Sequence, residues 1–158
     1  MWAPDLRTIF LLICLINAFL ALMILAYWKT QKTYEGLALW SLGLLFQSVA
    51  YLLFMLQGAG PAFLTVILAN AFSMLAIFLR VDAIRRFFWS RSLPAQYYLF
   101  ILPILLPYGY FTFILDSMVW RAVISTVFIT PALIIAAAPA ILSLQKENRI
   151  IRYLFAAT

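Results

Sequence analysis

The chain has 158 residues, of which 67% are hydrophobic and 10% charged, with a formal charge of +6 from 11 Lys and Arg against 5 Asp and Glu. A soluble globule of this size needs a polar shell that so few charged residues cannot supply, so the bilayer is the solvent to reason with, and one compact unit is expected. The basic residues fall in short clusters between apolar runs, which excludes a nucleic-acid surface and makes them topology anchors.

Histidine is absent, which removes the commonest general base and metal ligand. Cys14 is the only cysteine, so no disulfide forms within the chain. A transmembrane helix needs about 20 mostly apolar residues. The expected fold is all-α: an integral membrane helical bundle of about five transmembrane helices, at 8–28, 37–57, 62–81, 97–115 and 122–144. The first run is too long for a signal-peptide core and lacks a basic n-region, so it reads as a retained helix. The short connections make successive helices antiparallel neighbours within a single domain, 1–158.

Orientation follows from the cations. Lys29, Lys32, Arg80, Arg85, Arg86, Arg91, Lys146, Arg149 and Arg152 share one side if the helices alternate, and the other side keeps Arg7 and Arg121. The positive-inside rule then places the N-terminus outside, and 29–36, 82–96 and 145 onward in the cytoplasm. Trp2, Trp28, Trp89 and Trp120 fall at expected interfaces, as an aromatic belt requires.

The first three helices each carry one amide near mid-membrane: Asn17, Gln47 and Asn70. Facing lipid is costly, so each should point inward. Small residues share those faces: Cys14, Ala18 and Ala21 with Asn17, Gly43 and Ala50 with Gln47, and Ser73 and Ala76 with Asn70. Such a layer is either interhelical glue, at about 0.6 kcal/mol per bond, or a small polar pocket or switch.

Gly58-Ala59-Gly60-Pro61 reads as a tight turn, with Pro61 opening the third helix. The stretch 81–91 interleaves apolar residues with Arg85, Arg86 and Arg91, just after Arg80. It should extend the third helix toward the head groups, with Asp82 pairing to Arg85 and Arg86 at helical spacing. Its bland role is a stop-transfer anchor.

Pro103 and Pro107 in the fourth helix, and Pro131 and Pro139 in the fifth, are expected to bend them. Ala132, Ala136, Ala140 and Ser143 form a small-residue seam that suits another helix or a second subunit, as in a homodimer. The segment 145–158 is a charged exit that turns apolar again. It is either an amphipathic tail or the start of a further helix cut short, and truncation of a longer protein is the favoured reading.

No nucleophile elbow, phosphate loop, HExxH or cysteine cluster is present. The five carboxylates, Asp5, Glu35, Asp82, Asp116 and Glu147, all fall at expected helix ends or in loops. The chain is therefore expected to be non-catalytic, with no metal or cofactor.

The opening Asp5-Leu6-Arg7-Thr8, then Gly36-Leu37 with Trp40 and Gly43, Pro61, Asn70, Arg85, Phe87 and Leu93-Pro94 give a further pattern. Over roughly the first 95 residues it resembles the multi-helix membrane module that precedes GGDEF domains in bacterial diguanylate cyclases. Beyond that only the hydropathy agrees. The resemblance implies a sensory or regulatory module in a bacterial inner membrane, anchoring a cytoplasmic effector domain that makes cyclic di-GMP. The nucleotide-cyclising residues would then lie beyond Thr158. The competing expectations are a small transporter or channel component and a passive anchor or scaffold.

Overall fold

The computed structural model describes residues 5–31, 36–99, 101–115, 117, 119–127, 130, 131 and 134. All regular structure among them is helical: α1 (Leu6–Gln31), α2 (Leu37–Met55), a π-helical segment (Phe63–Leu68) that runs into α3 (Ala69–Trp89), the short α4 (Gln96–Leu99) and α5 (Ile101–Phe113). Residues 119–127 are also helical. Three stretches are long and apolar enough to cross a membrane: Leu6–Thr30, Leu37–Met55 and Phe63–Phe87.

The fourth expected span, 97–115, takes the form of α4 and α5. Of its residues, 97–99 and 101–113 are helical, and residue 100 lies outside the described residues. Of the fifth, 119–127 and three later positions are described; Pro139 and the exit 145–158 lie outside the described residues.

The first two helices are joined by a repeat of small polar residues. Ser41 Oγ donates to the Ala21 carbonyl at 2.7 Å, and Ser48 Oγ donates to the Cys14 carbonyl at 2.8 Å. Both pairs are spaced by seven residues, two helical turns, so one face of α2 stays in register with one face of antiparallel α1. Ala21 is fully buried between them. Phe10 packs on Tyr51 and Phe54 further along the same interface.

A second seam with the same spacing joins α2 to α3. A Cβ on Gly43 would lie 3.0 Å from the Ala76 carbonyl oxygen, and one on Gly36 would lie 2.4 Å from that of Ala83. The next step along this series brings Ala50 and Ala69, both fully buried. Residues without bulk let backbones approach closely, which replaces the hydrophobic drive that lipid cannot supply. Thus α2 is flanked on both sides, while α1 turns large side chains such as Leu12, Leu15, Phe19 and Leu22 outward, where a bilayer would cover them.

The turn expected at Gly58 to Pro61 is present. Gly58 takes φ 85°, and the Ala59 and Gly60 amides both donate to the Leu56 carbonyl at 3.0 Å. The Pro61 carbonyl then accepts from the Leu64 and Thr65 amides and from Thr65 Oγ1, and the helix loosens into i→i+5 bonding before α3.

The third helix continues through Trp89, so the stretch 81–91 extends it as expected as far as residue 89, beyond the bound of 81 given to the apolar span. Burial of Leu79, Val81 and Ala83 and the i,i+4 pair of Asp82 with Arg86 hold these last turns. Ser90 ends the helix in the left-handed region, φ 51°, with its amide on the Arg86 carbonyl.

Candidate functional site: two polar centres and an end cleft

The first polar centre lies between α2 and α3. Gln47, 6% exposed, donates from Nε2 to Ser73 Oγ at 3.2 Å and accepts from Arg80 Nη2 at 2.9 Å. Arg80 Nε also donates to the Ala76 carbonyl at 3.2 Å. The sequence placed Arg80 in a juxtamembrane cluster. In the structure its side chain runs back along α3 toward the N-terminal turns, the direction that Cβ geometry favours. It brings a permanent positive charge beside an amide within a candidate span. A cation there is rare and marks a functional position when its partners are defined.

Gln47 thus reaches a second helix as expected, but the three amides do not form one network. Asn17 Nδ2 donates to the Ile13 carbonyl at 2.8 Å, and Asn70 Nδ2 to the Val66 carbonyl at 2.7 Å. Both amides satisfy themselves on their own helix, four residues back. Both are half-buried, so neither points fully outward.

The second centre is Asp82, a residue of α3 that is 3% exposed. Its Oδ1 accepts the Leu93 amide at 2.7 Å and Arg86 Nε at 3.2 Å; its Oδ2 accepts Tyr98 Oη at 3.1 Å and Arg86 Nη2 at 3.2 Å. One carboxylate therefore fastens α3, the loop after Ser90 and α4. Buried Leu93 packs with Val81 beside it. A buried carboxylate is tolerable only with this density of donors. Of the other arginines in the expected cluster, Arg85 and Arg86 are half-buried on α3, and Arg91 is exposed in the loop.

The third feature is a cleft of about 170 Å³ at the opposite end of the three-helix unit from Asp82, between the end of α2, the start of α3, α5 and the helical residues 119–127. Asn70 lines it, so the third amide marks a different place from Gln47. Tyr108, 1% exposed, also lines it and is hydrogen-bonded to Ser125. Of the expected bends, Pro107 lies inside α5 and Pro103 in its first turn; Pro131 is helical and exposed. No group of three or more potential metal-ligating side chains occurs among the described residues.

Among the described residues, fold and site together define an all-helical arrangement with three candidate membrane spans, two buried polar centres and an end cleft. Among known proteins, no family model, no curated protein and no solved structure matches it.

Proposed function

We propose that the chain is a membrane-embedded regulatory module, inserted with its N-terminus outside, that anchors and controls a cytoplasmic output domain. The observation that carries this reading is the Asp82 centre. A single buried carboxylate ties the end of α3 to the loop and helix that follow, so a displacement of α3 is passed on and not absorbed by a flexible linker. The Gln47–Ser73–Arg80 group supports it as well: hydrogen bonds between neutral groups and a permanent cation can exchange partners without a protonation step. The fully buried Ala21, Ala50, Ala69 and Ala76 fill the seams of the three-helix unit, an arrangement suited to discrete packings. The resemblance at the N-terminal end suggests a GGDEF domain as the output and cyclic di-GMP as its product.

The test starts from the coding sequence beyond Thr158 and uses the module together with its native downstream region, reconstituted in lipid. Output should change in Asp82→Ala, Asn70→Leu and Pro131→Ala variants that remain folded. Unchanged output and oligomeric state in all three would make the module a passive anchor. Ion or solute flux through vesicles containing the isolated module would instead identify a transporter component.

A further inference from the structure

Arg80 holds a positive charge near mid-depth of the three-helix unit. Its Nε and Nη2 are bonded to the Ala76 carbonyl and to Gln47 Oε1. Ala76 lies near the middle of the span Phe63–Phe87. Gln47 lies about 15 Å along α2 from Leu37, half of a hydrocarbon core of about 30 Å. The stem of the side chain is seated as well. A Cβ on Gly43 would come within 3.0 Å of Arg80 Cγ, so the stem fills the notch that the glycine leaves in α2.

The charge meets no anion among the described residues. Both of its acceptors are neutral, and the ionisable side chain that acts on it is Tyr51, a phenol. Nη1 has no acceptor among the described residues yet is not enclosed, so it opens on the surface of the unit, on the flank that carries half-buried Ser73. Hydrocarbon does not solvate a guanidinium, so an opposite charge is the partner this position calls for. The chain has five carboxylates. Asp82 is spent on Arg86, Leu93 and Tyr98, and Asp5 precedes the first turn of α1. Glu35, Asp116 and Glu147, outside the described residues, fall between or beyond the apolar runs of the sequence. A second copy of the chain would bring the same five, so it offers no acid from within an apolar run except the one already spent.

We infer that Arg80 is the docking point for a transmembrane helix of a different protein, one that carries Asp or Glu at mid-depth. A carboxylate on such a helix accepts from Nη1, and Ser73 Oγ, which accepts from Gln47, still has its own proton to donate. Depth selects a helix over the other anions. A lipid phosphate stays at the interface, about 15 Å away, and a free anion would have to leave water and cross the same distance. A helix carries its carboxylate there with its backbone bonds satisfied internally.

This goes beyond the regulatory reading and does not depend on it, because the test uses the chain without any output domain. A Cys14→Ala, Gly60→Cys variant with a donor dye at position 60 is reconstituted in phosphatidylcholine vesicles. The probes are acceptor-labelled synthetic peptides: a lysine-flanked helix of about 20 Leu and Ala residues with one central Glu, and the same helix with Gln there. Energy transfer should saturate with the Glu peptide at a mole fraction about tenfold or more below that for the Gln peptide. Moving the Glu two turns from the centre should erase most of this preference, because the depths no longer match. Arg80→Gln should abolish it, and Arg80→Lys should keep part of it, retaining the charge without the fork. Gln47→Glu places a carboxylate beside Arg80 within the chain, and should suppress binding although the cation remains. Arg91→Gln, in the exposed loop, should change nothing.

Equal binding of the Glu and Gln peptides would overturn the proposal. So would an unaltered preference in folded Arg80→Gln and Gln47→Glu variants. A preference lost on replacing phosphatidylcholine with phosphatidylglycerol would assign the cation to lipid phosphate. Chloride flux that depends on Arg80, with no preference between peptides, would assign it to an anion path. Either result overturns the proposal too.

Discussion

Gly36 and Ala83 meet backbone to backbone: a Cβ at Gly36 would sit 2.4 Å from the Ala83 carbonyl oxygen, and Gly36 also takes φ 99°. Any other residue there faces a left-handed backbone and a collision that no side-chain rotation relieves. Gly36→Ala should therefore cost more than about 2 kcal/mol, since the left-handed conformation alone costs roughly 1–2. Gly43→Ala should cost less, because its Cβ would reach Ala76 O and Arg80 Cγ at 3.0 Å from an ordinary helical backbone. Unfolding from mixed micelles by SDS measures both; an equal or smaller loss at Gly36 would contradict this account of the α2–α3 seam.

Ser41 and Ser48 make equivalent bonds to α1 two turns apart. Each Ser→Ala substitution should cost about 0.6 kcal/mol, the mean for interhelical bonds in membranes. At roughly 10 Å separation the two losses should add. A double variant much worse than the sum would mean that the seam opens as a unit.

Gln47 and Arg80 should be energetically coupled. Gln47→Leu strands the guanidinium of Arg80 beside an apolar side chain, whereas Gln47→Leu with Arg80→Leu removes both halves. The double variant should be less destabilised than the two single variants predict, by roughly 0.5–3 kcal/mol. Strict additivity in a double-mutant cycle would show that the 2.9 Å bond carries no stability.

Asp82→Ala removes acceptors from Leu93, Tyr98 and Arg86 together. Hydrogen bonds to a charged group are worth roughly 1.5–3 kcal/mol each, so the loop after Ser90 should detach while α1 and α2 stay packed. Trypsin cleavage after exposed Arg91 should accelerate several-fold, with Asp82→Asn intermediate because it keeps one carbonyl acceptor. Unchanged cleavage would show that burial of Leu93 holds the loop without the carboxylate.

Orientation can be read directly in a Cys14→Ala background. Gly60→Cys should react with an impermeant maleimide from outside intact cells, and Lys32→Cys should not, in keeping with the distribution of Lys and Arg. The opposite pattern would invert the topology.

Hydropathy alone located the first two long helices and the start of the third to within a few residues, because about 20 apolar residues have few alternatives to a helix, but it ended the third at 81 where α3 runs to Trp89. The small-residue faces were also legible: Gly43 and Gln47 do turn toward α3, Ala50 is fully buried, and Cys14 and Ala21 do face α2. What periodicity could not supply was the partner of each polar group. Asn17 and Asn70 carry the same donors as Gln47, yet their shorter side chains reach the carbonyl four residues back and close on it. The path of the Arg80 side chain depends on where Gln47 sits across the interface, which no single-chain pattern encodes. Asp82 looked like a surface partner of two arginines. Its acceptance of an amide eleven residues away becomes visible only once Ser90 has reversed the chain. The spacing of Ser41 from Ser48, and of Gly36 from Gly43, was a signal in plain view that could have identified α2 as the shared helix.

The hydrogen bonds that close α1, α2 and α3 on one another, from Ser48 with Cys14 to Asp82 with Leu93 and Tyr98, all begin and end before residue 100. A nascent chain therefore carries these bonds before Tyr108 and Arg121 have been synthesised, while Ile67 and Met74 still await the cluster they form with Ile101, Ile104 and Tyr108. Insertion can proceed vectorially, with the first three helices released into lipid as a surface on which the later segments dock. A defect at Gly36 or Ser48 would then act during biogenesis and lower the yield of inserted protein, whereas a defect at Tyr108 would leave insertion intact and alter only the last step of assembly.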